Sequence, residues 1–211
     1  MIAPVSTPAT PDRLMDAALK LFAHRGFKAT SVGAIETEAG MAPRSGALYQ
    51  HFKGKQELLE AVLDRELAVM DDLEQALAML PLGDLRAELT LLARWNLASL
   101  DRRADLIRFV RREAHLLPKR LRNRLYDRLV ANPYGLIVEW LRRRFEDAGV
   151  DPPDLQALAL ILVESMGAYK ELGLTFQRVP GDVDDERFID AWVEVGLAVA
   201  AHHGLTMERA A

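Results

Sequence analysis

The sequence predicts an all-α protein, a three-helix head followed by a larger helical body with about nine to ten helices in all. Three observations predict it. Apolar residues recur at helical spacing, as in Leu14, Ala17, Ala18, Leu21 and Phe22. No run of alternating β-branched residues marks a strand. Proline and glycine punctuate the apolar runs at Pro118, Asn132-Pro133, Gly149 with Pro152-Pro153, and Val179-Pro180-Gly181.

Residues 1–11 hold three prolines and no charge and read as a flexible arm. Pro11 and Asp12 open the first helix, and Gly26 stands where a C-terminal glycine would end it. Thr30 and Ser31 offer side-chain oxygens to the free N–H groups of a short second helix, which runs to Gly40. Gly33 occupies the position that an acidic residue would need for a capping box. A third short helix is expected over Arg44 to Gln50. Gly54 breaks the chain, and a fourth helix starts near Lys55 with Leu58, Leu59, Val62 and Leu63 as its stripe and ends at Pro81 and Gly83. Further helices are expected at 84–100, 103–116, 118–131, 133–148, 153–175 and 184–203. The resulting division is an arm at 1–11, a head at 12–56 and a body at 57–211.

The chain of 211 residues is half apolar and has a net charge of −4, so wholesale disorder is excluded. It has no cysteine, which excludes disulfides, thiolate nucleophiles and Cys-based zinc sites and fits a reducing cytoplasm. No basic residue precedes a hydrophobic run at the N-terminus, so no secretory signal is expected. The uncharged stretch Val195 to Met207 is too short for a membrane span. Charge is unevenly spread. Residues 1–55 carry seven Lys/Arg against four Asp/Glu, and residues 56–211 carry twenty against 27. A basic head on an acidic body can meet a polyanion, although chance alone can give such a split.

Catalytic patterns are missing. There is no Gly-x-Ser-x-Gly elbow, and Gly54-Lys55 lacks the rest of a phosphate loop. His24, His51, His115, His202 and His203 have no partners at metal-ligand spacing. No enzyme, cofactor or metal is expected.

The informative segment is 12–60. Two short helices joined by a glycine turn make a helix-turn-helix, whose second helix enters the major groove of DNA. Tyr49, His51, Lys53 and Lys55 follow as a polar, basic cluster suited to phosphate contacts. The alternative is that Tyr49 and Phe52 are core aromatics and the lysines a solvated surface. Arg44 has the fork that takes guanine O6 and N7 together.

The string Thr30-Ser31-Val32 … Ile35 … Ala39-Gly40 … Gly46-Ala47-Leu48-Tyr49-Gln50-His51-Phe52-x-x-Lys55-x-x-Leu58 resembles the DNA-binding head of the TetR family of bacterial transcriptional regulators. The resemblance covers about a quarter of the chain; the body fits that family only in length and helix count. It implies a homodimer on a palindromic DNA operator, repressing until a small molecule binds the body. The residues expected at DNA are Thr30, Ser31, Pro43, Arg44, Ser45, Gly46, Tyr49, Gln50, His51 and Lys55. Met41 to Ser45 make the turn before Gly46 longer than the family's commonest spacing, so the start of the recognition helix is altered.

In the body, residues 101–128 carry ten Lys/Arg and four Asp/Glu. Arg108, Arg112 and His115 share one helical face opposite Ile107, Val110, Ala114 and Leu117, either a solvated face or a site for an anion. Polar or bulky residues within apolar helices are the candidates for an effector pocket: Trp95, Phe109, Glu113, Tyr134, Trp140, Glu164, Met166 and Tyr169. Glu164 follows nine uncharged residues, and if buried it needs a partner. The helices at 153–175 and 184–203 are apolar nearly all round, so a second copy of the chain is expected to cover one face. Leu158, Leu162, Met166, Phe188, Trp192, Val195 and Val199 are the candidate interface residues. The rival to a ligand-responsive DNA-binding regulator is a helical small-molecule-binding or interaction protein that reads no operator.

Overall fold

A computed structural model describes residues 10–68, 73, 77–80 and 82–205. Residues 1–9 of the expected arm, Pro81 and Met207 lie outside them. In chain order the helices are α1 (Thr10–Arg25), α2 (Val32–Glu38), α3 (Lys55–Ala68), α4 (Leu85–Arg102), α5 (Ala104–Glu113), α6 (Lys119–Tyr126), α7 (Asn132–Ala148), α8 (Leu155–Phe176) and α9 (Asp185–His202). Among the described residues there is no strand.

The chain forms two compact units, residues 1–69 with 105–124 and residues 70–104 with 125–211. The expected division at residue 56 does not follow this grouping. In the first unit, α3 packs along α1 and buries Leu58, Leu59, Val62 and Leu63. Phe109 of α5 is fully buried, with its ring 6.3 Å from Phe22 of α1. A contact between residues so far apart leaves no mark on local periodicity, so the sequence assigned α5 to the body.

Several local devices are those the sequence predicts. Gly26 takes φ +88° after α1, a conformation that L side chains rarely adopt. Ser31, not Thr30, caps α2, accepting the Ala34 N–H at 3.2 Å. Asp84, Asp154 and Asp184 cap α4, α8 and α9 through their side chains. Gly149 ends α7 at φ 66°. Asn132-Pro133 differs from expectation. It does not break the chain, because a π-helical turn over Asp127–Ala131 leads into α7 and places proline in the first turn, where no N–H is needed.

In the second unit, α4 packs on α9 and on α8, and α7 packs on α8. Leu89, Leu97, Trp140, Phe145, Met166 and Trp192 are among its core residues. A Cβ on Gly196 would lie 3.0 Å from Leu89 Cδ1, so glycine allows α9 its close approach to α4. Trp192 donates its Nε1–H to the Leu162 carbonyl at 2.9 Å. Glu88 is fully buried, accepting the Leu82 N–H at 2.7 Å and pairing with the Arg144 guanidinium at 2.9 Å. A second polar cluster joins three helices. Lys170 reaches Asp101 and Asp185, each at 2.8 Å, and the Tyr169 hydroxyl donates to Asp185 at 2.8 Å.

Three residues expected at a dimer interface, Leu162, Met166 and Trp192, are therefore buried in the core of the single chain. Leu158, Phe188 and Val199 are half-buried, and Val195 is exposed. The outward face of α8 instead carries Ala157, Leu160, Ile161 and Ala168, and that of α9 carries Ala191, Val195 and Ala198. With apolar residues on every face of α8, periodicity could not distinguish inward from outward.

Candidate nucleic-acid interface

The segment between α2 and α3 carries most of the side chains expected at DNA. Its first part closes α2: Met41 N–H donates to the Glu36 carbonyl at 2.8 Å and Gly40 N–H to the Thr37 carbonyl at 2.9 Å. The recognition helix expected over Arg44–Gln50 is reduced to a 3₁₀ turn, Leu48–Gln50. The cause is local. Arg44 and Gly46 take φ +61° and +76°, and a right-handed helix cannot run through left-handed residues. The long run from Met41 to Ser45 forms a loop rather than a first helical turn.

Leu48 is fully buried and anchors the 3₁₀ turn. Tyr49, 62% exposed, faces solvent, as do Gln50 and His51, and the alternative of a core tyrosine is excluded. Phe52 is half-buried. Pro43, Arg44, Ser45 and Lys53 are exposed and Gly46 half-buried. Ser31 is exposed too, beside a groove of about 380 Å³ whose walls include Gly33, Thr37, Pro43 and Arg44. A Cβ on Gly33 would touch Arg44 Cγ at 3.7 Å, so the arginine stem lies along α2.

Two expected phosphate-facing residues point inward. Thr30 is 1% exposed, and its hydroxyl donates to the Gly26 carbonyl at 2.8 Å. The Lys55 ammonium donates to the carbonyls of Phe27 and Thr30 at 2.6 and 2.7 Å and lies 4.4 Å from the centre of the Phe27 ring. Burial pushes its pKa below the usual lysine value. Lys55 thus ties α3 to the α1–α2 turn. A lysine near a recognition element reads alike in sequence whether its head faces water or carbonyls.

Sequence reasoning also missed Glu36. This residue of α2 is fully buried; one carboxylate oxygen accepts the Leu48 N–H at 3.3 Å and the other has no hydrogen-bond partner. The available signal was its place one turn before Gly40 beside the buried Ile35, in a helix too short for a reliable stripe.

The effector candidates separate by unit. Phe109 and Glu113 belong to the first unit, where Glu113 lies beside Gly26 and 3.6 Å from Arg112. Glu164 is exposed and needs no buried partner. Trp95 and Tyr134 are half-buried; Tyr134 donates to the Gln156 carbonyl. Met166 accepts from Asn96 in the core, and Tyr169 belongs to the Lys170 cluster. Of the eight, Trp140 lines an apolar cavity of about 30 Å³ with Leu85, Leu89, Arg144, Phe145 and Leu162 among its neighbours. Trp140 Nε1 and Arg144 Nε are buried there without hydrogen-bond partners. Of the basic face read on α5, Arg108 and Arg112 are engaged at the end of α1: Arg108 contacts the His24 ring at 2.9 Å, and Arg112 donates to the carbonyls of His24 and Arg25 at 3.0 and 3.2 Å. Among the described residues, no group of three His, Asp or Glu could hold a metal ion, and no helix is long and apolar enough to cross a membrane.

Comparison with known proteins adds independent support. Residues 14–62 match the family described as bacterial regulatory proteins, tetR family. Over 61 residues the chain is 46% identical to the HTH-type transcriptional repressor KstR2 of Mycolicibacterium smegmatis, covering 27% of this chain and 29% of that protein. The curated relatives it matches are spanned over only 24% to 52% of their length. Likeness of fold extends further. The ketosteroid transcriptional regulator KstR2 of Mycobacterium tuberculosis superposes with a TM-score of 0.65 at 20% identity, over 92% of this chain and 96% of that one. The transcriptional regulator FadR of Bacillus subtilis, solved in complex with stearoyl-CoA, gives 0.65 at 16% identity, over 87% and 96%. Residues 14–62 thus match the head of the tetR family of bacterial regulatory proteins, and beyond them the likeness is one of fold.

Proposed function

We propose that this protein is a homodimeric, sequence-specific DNA-binding transcriptional regulator of the cytoplasm, a repressor released by a small-molecule effector, and not an enzyme. The observation that carries the reading is the outward cluster Arg44, Ser45, Tyr49, Gln50 and His51, held on the buried Leu48 within the matched head. Tyr49 and His51 are suited to phosphate oxygens, Arg44 to a guanine edge. Ser31, Pro43 and Gly46 border the same surface.

The outward stripe on α8 and α9 supports dimerisation: Leu160, Ile161 and Val195 are 51%, 65% and 54% exposed. Large apolar side chains left exposed on neighbouring helices are a usual site of protein association, and a two-fold pairing would present two heads to a palindromic operator. The effector is read as largely apolar, by analogy with the ketosteroid and stearoyl-CoA named for the two structural neighbours. The cavity at Trp140 has room for about a water or two. An effector there must favour a state in which the helices have parted, which is how a ligand shifts a conformational equilibrium.

A mobility-shift titration tests the reading. The purified protein is expected to retard the DNA upstream of its own gene, with affinity falling steeply as salt rises, and to leave unrelated DNA of equal length free. Equal retention of both, or of neither, would favour the rival reading of a helical ligand-binding protein that reads no operator.

A further inference from the structure

We propose that Glu36 is a positioning residue for DNA reading, its buried carboxylate seating the 3₁₀ turn that presents Tyr49, Gln50 and His51. The proposal rests on the DNA-binding reading above. In an unbroken α-helix the Leu48 N–H would bond to the carbonyl of Arg44, four residues back. Arg44 is left-handed here, so that acceptor is not in line. Tyr49, Gln50 and His51 still find backbone acceptors three residues back, at Gly46, Ala47 and Leu48. Leu48 does not, and its N–H goes to Glu36 Oε1 at 3.3 Å, across twelve residues of chain.

The bond is placed where it matters. Leu48 is fully buried, so an unpaired N–H at that point would lose its water without compensation. Ala47, next to it, uses the Ser45 hydroxyl at 3.3 Å. Side chains thus supply the acceptors that a helix would have supplied, one from within the loop and one from α2. Only the second fixes the turn to the rest of the head. Removing it frees the turn to rotate about the Leu48 anchor, which would redirect three neighbouring outward side chains together.

Burying Glu36 is costly, because its Oε2 has no hydrogen-bond partner. A leucine or methionine would fill the same volume at lower cost, so stability alone does not account for the carboxylate. Its acceptor does, and glutamine retains an acceptor at the same reach.

The test compares E36Q, E36L and E36M in the full-length protein. Amide hydrogen exchange of Leu48 reads the seat directly. Protection of Leu48 relative to Leu58, which is equally buried in α3, should persist in E36Q and fall at least tenfold in E36L. Affinity for the DNA upstream of the protein's own gene should stay within about threefold in E36Q and drop tenfold or more in E36L, with binding to scrambled DNA unchanged. Should E36L not fold, E36M carries the same comparison. A leucine or methionine variant that folds, keeps Leu48 protected and binds the upstream DNA like the parent overturns the proposal. So does an E36Q variant as impaired as E36L. If the unaltered protein shifts no DNA, the DNA-binding reading fails instead, and the exchange data still decide whether Glu36 holds the turn.

Discussion

Among the described residues two glutamates are fully buried, and they sit in different kinds of place. Glu88, in the second unit, accepts the Leu82 N–H at 2.7 Å, and its Oε2, without a hydrogen-bond partner, is held in an ion pair by the Arg144 guanidinium at 2.9 Å. Glu36, in the first unit, uses one oxygen, at the longer distance of 3.3 Å, and leaves the other bare. Glu88 closes a charge pair between the entrance to α4 and α7. Glu36 supports a segment with a left-handed arginine and no α-helix, on the face read as meeting another molecule. The second unit neutralises its buried carboxylate with a guanidinium, whereas the first holds its own with one hydrogen bond and uses it to keep a surface in shape. Strain and unmet polar groups collect at functional sites for this reason.

The largest effect that sharpens this contrast is expected from Arg144→Met. It strands Glu88 as a buried, unpaired charge and should cost roughly 3–5 kcal/mol, measured by urea unfolding. E36L removes an incompletely satisfied carboxylate and should cost far less. Equal losses from the two variants would erase the distinction.

Arg44→Gly should separate stability from function within the head. Arg44 stands at φ +61°, where glycine carries no steric penalty, so the variant should gain about 1 kcal/mol in thermal or urea unfolding. It also removes the guanidinium. If Arg44 reads a guanine, specific affinity should fall by ~1–3 kcal/mol with preference relaxed at one position per half-site. A variant that loses stability would show that the loop is not strained at Arg44.

The smallest effect, absent near neutrality, concerns the second polar cluster of the body. The Tyr169 hydroxyl is pushed up to about 12, first by burial and then by its hydrogen bond to Asp185. Burial opposes the charge on Lys170, but its bonds to Asp101 and Asp185 outweigh this and raise its pKa. Both pKa values are raised on folding, so their stabilisation is complete below about pH 10 and lost as pH climbs towards 12. Asp185 behaves oppositely. Burial raises its pKa, yet the bonds from Lys170 and Tyr169 bring it below 3.8, so its contribution is lost only in strong acid. The contribution of this cluster to the unfolding free energy should therefore be level between these limits and fall above pH 10. Tyr169→Phe should flatten the alkaline decline, and an unchanged decline would detach it from this cluster.

These contrasts also show what the sequence could carry. Helix ends were legible because their signals are local: Gly26, Gly149, Ser31 and the capping aspartates each act within one turn of chain. The outward cluster from Pro43 to His51 was legible because its residue types and spacing are unusual together. Its missing helix was only hinted at, through the long run before Gly46, since nothing in Arg44 as a letter announces a left-handed backbone. Lys55 and Thr30 were misplaced because a polar head that turns inward to carbonyls leaves the same letters as one that turns outward. Adjacent Ile161 and Leu162 face opposite ways, and only the packed structure separates them. Phe109 and Glu113 group with the first unit through contacts that join residues more than eighty positions apart, which the sequence does not display.

One of those distant contacts bears on the order of assembly. The carbonyls of His24 and Arg25, at the negative end of α1, are capped by Arg112, a cation placed 88 and 87 residues later. A Cβ on Gly26 would stand 2.6 Å from the Glu113 carboxylate, so the chain passes close beneath the end of α5 there. A nascent chain emerging from the ribosome makes α1, α2 and α3 well before either residue exists. During that interval the end of α1 is open and Phe22 lacks the cover of Phe109. The head is therefore completed late, after roughly half the chain has been synthesised, and a fragment ending after α3 is expected to be a frayed intermediate rather than a free-standing module.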